Sequence, residues 1–165
     1  SRVSRGLGDV YKRQTFISPE ADALGSGWNI AQSKIAIGSG QFFGKGYMEG
    51  SQSQLDFIPE SHTDFIFAVI VEEFGFLGAL GLFLLYAFLI HRLLYVAKSS
   101  NSKFAKLVSA TLSIILAAYI TLNISMVVGI FPVVGMPLPF ISQGGTALVV
   151  NMITIGIILS LRRTT

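Results

Sequence analysis

LVSATLSIILAAYITLNISMVVGIFPVVGMPLPFISQGGTALVVNMITIGIILSL, residues 107–161, contains no Asp, Glu, Lys, Arg or His. A helix needs roughly 20 apolar residues to cross a bilayer core, and this run is far longer than that. A buried core in a soluble domain rarely offers so long an uncharged stretch. Three prolines and the glycines of FPVVGMPLPFISQGG cannot continue a helix, so they divide the run. The reading is a span over 107–130, closed by Gly129 and Pro132, then a proline-rich loop over 131–143 and a further span over 144–161. Across the chain 52% of residues are hydrophobic and only 13% charged, which again points to a membrane.

Working outward, residues 65–90 are apolar except for Glu72 and Glu73 and form another expected span. The connection 91–106 carries Arg92, Lys98, Lys103 and Lys106 with no acid, and a short tail, 162–165, begins with Arg162 and Arg163. Basic connections face the cytoplasm. Three alternating spans then put residues 15–64 and the proline loop together on the extracytoplasmic side. The fold class expected is an all-α polytopic membrane protein, with these three helices forming part of a larger bundle. Residues 1–14 read unlike the rest and are set aside as a non-native or unstructured segment.

The net charge of +3 does not imply nucleic acid, because the cations sit at segment ends and form no basic face with interleaved aromatics. The chain has no cysteine, which removes disulfides, thiol nucleophiles and cysteine metal sites. The outer segment 15–64 is acidic. Within it Trp28, Ile30, Ala31, Ile35, Ala36 and Ile37 suggest a short amphipathic helix lying along the membrane interface.

The run Gly38-Ser-Gly-Gln-Phe-Phe-Gly-Lys45-Gly46 fails as a P-loop, since Ser39 stands where the first glycine belongs and Gly46 where Ser or Thr belongs. It reads as a flexible surface loop whose amides, with Lys34 or Lys45, are candidates to contact an anionic headgroup or diphosphate. Asp56, Glu60 and Asp64 recur every four residues just before the first span. At the water–membrane boundary partial desolvation raises a carboxylate pKa and suits Asp64 to general-base work. The competing role is capping of the helix by Asp64 or Thr63. Glu72 and Glu73 lie about 12 Å deeper, where a lipid-facing charge costs at least ~2.5 kcal/mol. Glu72 points about 80° from Asp64 around the helix and Glu73 about 180°, so only Glu72 is placed to share its cavity. Gly75, Gly78, Ala79 and Gly81 keep the first span thin for close packing. Asn123, Ser125 and Asn151 suit interhelical hydrogen bonds. His62 stands two residues from Asp64, without identifiable metal-site partners.

GWNIAQSKIAIGSGQFFGKG, SQSQLDFIPESHTDFIFAVIVEEFG and GIFPVVGMPLPFISQGG, in that order, resemble the C-terminal third of the SEDS (shape, elongation, division and sporulation) proteins of the RodA/FtsW/SpoVE family. The likeness covers essentially residues 15–165 and is strongest to the elongation-type, RodA-like members. It implies a bundle of about ten spans in the bacterial inner membrane. It also implies a peptidoglycan glycosyltransferase that polymerises lipid II, with a class B penicillin-binding protein and the elongation machinery as partners. The family's catalytic aspartate falls in the segment Pro59-Glu60-Ser61-His62-Thr63-Asp64-Phe65, which carries that role onto Asp64. Gln54, Asp56 and Glu60 match the same motif, and together with His62, Lys34, Lys45, Glu72 and Gln143 they are the candidate substrate contacts.

Two departures matter. The family's loop usually ends Ser-Tyr-Gly-Gly, whereas Ser142-Gln143-Gly144-Gly145 stands here, so Gln143 replaces a ring and hydroxyl. Division-type members tend to carry Pro-Thr-Lys-Gly where this chain has Pro132-Val133-Val134-Gly135, which favours elongation. These residues point to no certain cofactor; a divalent cation, Mg²⁺ or Mn²⁺, would suit a diphosphate leaving group. The rival readings are a transporter or lipid flippase and a non-catalytic scaffold for the penicillin-binding partner.

Overall fold

The computed structural model describes residues 26–50 and 63–163, and these form four helices. They are α1 (Ser26–Gly40), α2 (Ile66–Ser99), α3 (Lys103–Val128) and α4 (Gly145–Arg163). The expected non-native segment 1–14 and the acidic motif from Gln54 to His62 lie outside the described residues. Ser100–Ser102 alone link α2 to α3, and so short a link between packed helices makes an antiparallel hairpin. The basic connection expected over 91–106 is therefore mostly helical. No glycine or proline interrupts it, and Leu93, Val96 and Ala97 continue the buried stripe while Arg92 and Lys98 point outward. At its other end α3 stops where Gly129 adopts a left-handed conformation and donates its N–H to the carbonyls of Ser125 and Met126.

Two helices, α2 and α3, are long and apolar enough to cross a bilayer, while the apolar part of α4, Gly145–Leu161, is shorter. Only 22% of the most apolar stretch of α2 and 33% of that of α3 is buried, which is not how a soluble core helix behaves. Phe83, Leu84, Leu85 and Phe88 face outward, whereas Glu72, Ser109, Ser113 and Asn123 are fully buried. Large apolar groups outside and polar groups inside fit a lipid surround. Across the hairpin Leu82, Tyr86, Leu116, Ile120 and Met126 share one core, which Phe65 and Leu138 close near Asp64.

The helix α1 packs on the hairpin through small residues. Ser33, Ala36 and Gly40 are buried against the hairpin, and Trp28 and Ile35 point away. Small groups go inward because they let helix backbones approach. Gly40 makes the constraint explicit, since a Cβ there would lie 2.0 Å from the Val71 carbonyl oxygen. Ser33 Oγ anchors the helix at 3.0 Å from the Val127 carbonyl.

A larger departure is that α2 is broken. Gly75 has φ 67° and ψ −161°, a backbone conformation reserved for glycine, and the glycine-rich loop after α1 fills the break. The N–H groups of Lys45 and Gly46 donate to the carbonyls of Glu72 and Glu73 at 3.0 and 3.1 Å. In return the N–H groups of Phe76 and Leu77 donate to the carbonyls of Gln41 and Phe42 at 2.9 and 3.3 Å. The loop thus satisfies backbone groups that the break releases, a condition for irregular backbone at membrane depth. Residues 41–46 are accordingly a fixed insert, correcting the expectation of a flexible surface loop. Gly75 serves the break and not the thin packing face foreseen for it.

Candidate functional site

Asp64 is half-buried immediately before α2, and α3 and the proline segment hold its backbone in place. Asn123, fully buried in the last turns of α3, donates from Nδ2 to the carbonyl of Asp64 at 2.9 Å and to that of Met136 at 2.5 Å. Ser142 Oγ donates to the preceding carbonyl, that of Thr63, at 2.6 Å and accepts the Leu138 N–H at 2.6 Å. Phe65, with no exposure, seats the next residue in the core. The Tyr86 hydroxyl donates to the Pro139 carbonyl at 2.7 Å, fastening the same segment from the middle of α2.

The carboxylate itself faces the proline segment. Gly135 has φ 69°, and a Cβ on it would lie 3.3 Å from Asp64 Oδ2, so this glycine lets the segment pass close over the acid. Asp64 and Thr63, weighed as caps, stand one and two residues before the N-cap position. Phe65 occupies the N-cap of α2 and no side-chain hydrogen bond caps that end. Asp64 lies beside the N-terminal end of α2, the positive end of the helix dipole.

Of the expected substrate contacts, Lys45 and Glu72 meet each other. Lys45 Nζ lies 2.9 Å from Glu72 Oε1, with Glu72 fully buried and the lysine 30% exposed. The loop thus supplies Glu72, a carboxylate inside a span, with its partner. The Lys45 and Gly46 amides are already committed to the carbonyls of α2, so they do not form an anion nest. Lys34 reaches elsewhere: its ammonium group lies over Gly129, at the C-terminal end of α3, where a cation complements the helix dipole. Gln143 is exposed, and its neighbour Ser142 makes the structural tie. Gln54, Asp56, Glu60 and His62 are outside the described residues.

Carboxylates are the donors that Mg²⁺ and Mn²⁺ accept. Asp64 offers one, and among the described residues no three His, Asp or Glu side chains gather around it.

Sequence reasoning singled out Asp64 and read Asn123 as an interhelical donor, but it missed Ser142 and Tyr86. Ser142 lies 79 residues from Thr63, and no local pattern marks such a pairing. Beside the site, a cleft of about 500 Å³ runs between α3, the proline segment and α4, lined by groups including Tyr119, Pro137, Pro139 and Asn151.

A family model for cell cycle proteins of the FtsW/RodA/SpoVE type matches residues 7–165. The chain is 51% identical over 154 residues to the peptidoglycan glycosyltransferase MrdB of Escherichia coli K12, with 92% of this chain and 42% of that protein covered. It therefore spans less than half the length of this relative. It is similar to a chain of a solved structure described as the structural coordination of polymerization and crosslinking by a peptidoglycan synthase complex. That likeness has a TM-score of 0.74 and 27% identity, and covers 93% of this chain and 41% of the other. A crystal structure of an aspartate-to-alanine mutant of the rod shape determining protein RodA from Thermus thermophilus is also similar. There the TM-score is 0.60 at 33% identity, with 63% and 35% of the two chains covered.

Proposed function

The chain belongs to the FtsW/RodA/SpoVE family of cell cycle proteins, and from that premise we propose that it is part of a peptidoglycan glycosyltransferase that polymerises lipid II during cell elongation. The observation that carries this reading is the setting of Asp64: its carboxylate lies against Gly135 of the proline segment, and Ser142 and Asn123 hold the carbonyls of Thr63 and Asp64. The acid accepts the proton of a sugar hydroxyl on one lipid-linked disaccharide as that oxygen attacks the anomeric carbon of another. The bond from that carbon to the lipid diphosphate breaks, and the diphosphate leaves with the electron pair. General-base help of this kind contributes typically ~10² to 10⁴ in rate. Elongation is preferred to division on Pro132-Val133-Val134-Gly135 and on the likeness to a rod shape determining protein.

The same reading places three spans in the bacterial inner membrane, with α4 as the third. The α2–α3 link then faces the cytoplasm, and Asp64 and the proline segment face outward. A penicillin-binding partner is supported by the likeness to a complex in which polymerization and crosslinking are coordinated.

Transport is the second reading, favoured by the break at Gly75 above a buried ion pair, since discontinuous helices line substrate sites in transporters. Reconstitution of the complete protein with lipid II, scoring glycan product and transbilayer movement separately, discriminates the two. Polymer without movement is the expected result, and movement without polymer would establish the rival.

A further inference from the structure

We infer that Asn123 and Ser142 are positioning residues that clamp Asp64 by the two successive carbonyls of its peptide bonds, and that they make its placement depend on the proline segment. The inference rests on the reading of Asp64 as the base and goes beyond it. The carbonyls of Thr63 and Asp64 are taken by side chains from two different elements, Ser142 at 2.6 Å and Asn123 at 2.9 Å. Each of those side chains makes a second bond into the proline segment, Ser142 from the Leu138 N–H and Asn123 to the Met136 carbonyl. Neither touches the carboxylate in any contact of the described residues, so both act through the backbone.

The arrangement is more specific than packing requires. Asn123 is fully buried, and its Oδ1 has no hydrogen-bond partner among the described residues, so its bonds are the two donated by Nδ2. A buried amide with an unmatched acceptor is costly to keep for stability alone. The Ser142 hydroxyl uses its single proton on Thr63 and a lone pair on Leu138, which fixes its rotamer and ties the two segments at one atom. A base must sit within hydrogen-bond reach of the proton it takes, and about 1 Å of misplacement is enough to lose on the order of 10²-fold in rate.

The test uses the complete reconstituted protein and lipid II, comparing Ser142→Ala, Ser142→Thr, Asn123→Ala and Asn123→Asp with an Asp64→Asn reference, per folded molecule. Ser142→Ala and each Asn123 variant should lower kcat by tenfold or more, with KM for lipid II within about twofold. Ser142→Thr, which keeps the hydroxyl, should recover most of the loss. Asn123→Asp keeps the side chain's size while setting an acceptor against two carbonyls, so it loses rate even where Asn123→Ala fails to accumulate. Wild-type kcat in Ser142→Ala and in both Asn123 variants would overturn the clamp, as would an equal loss in Ser142→Ala and Ser142→Thr. Either result beside an inactive Asp64→Asn leaves the base assignment standing, whereas a fully active Asp64→Asn removes that assignment itself.

Discussion

Glu72 has no exposure, and Lys45 Nζ stands 2.9 Å from its Oε1, so the lysine's first duty is to neutralise a carboxylate held out of water. Removing one partner of such a pair typically costs about 3 to 5 kcal/mol, because the remaining charge stays buried. Lys45→Met should therefore lower the Tm of the complete protein in detergent markedly, and Lys45→Met with Glu72→Leu should recover much of the loss. A Lys45→Met protein as stable as the parent would show that this pair does not hold the loop. The sequence made Glu72 conspicuous, since a carboxylate inside an apolar span must face protein or water. Its partner was not legible, because Lys45 lies 27 residues away in a loop with no periodicity to bring it there. Asp64 could be read because its position at the start of a span is a local fact. The residues that hold it are remote, Asn123 lying 59 residues beyond Asp64 and Ser142 79 beyond Thr63.

At the scale of elements, α2 and the loop after α1 make one unit. The part of α2 from Ile66 to Phe74 is fixed at its start by the Asn123 and Ser142 contacts and at its end by the loop 41–46. Asp64 rides on that short segment. Gly75→Ala tests the break with a diagnostic sign. In a continuous helix the change would stabilise by roughly 1 kcal/mol. Here the new Cβ would meet Gly44 N at 2.3 Å and the Phe42 carbonyl at 2.7 Å, in a backbone conformation that costs about 1 to 3 kcal/mol for other residues. The expected outcome is a lower Tm, and a higher one would mean that α2 is unbroken. The hairpin was legible from uncharged runs bounded by cations. The break was not, because Gly75 in sequence looks like any small residue that thins a membrane helix, and a distant loop supplies the partners that make a break affordable.

Over the whole molecule, the account requires the proline segment and the α2–α3 link to lie on opposite sides of the membrane. The chain has no cysteine, so single cysteines report cleanly once those elsewhere in the complete protein are replaced. Val134→Cys, exposed in the proline segment, should react with an impermeant maleimide in intact cells, and Asn101→Cys, exposed in the link, only after permeabilisation. The reverse pattern would put Asp64 inside the cell, out of reach of an outward-facing lipid-linked sugar. The exposed apolar faces of α2 and α3 leave ample surface for lipid and for the rest of a protein of which this chain covers 42% in its Escherichia coli relative. The most direct measurement is the polymerisation rate of the complete protein in proteoliposomes supplied with lipid II, comparing wild type with Asp64→Asn. That substitution keeps the side chain's size and removes the base. The account predicts a loss of at least about 10²-fold in kcat, with the Tm and the KM for lipid II little changed; polymerisation by Asp64→Asn at the wild-type rate would contradict it.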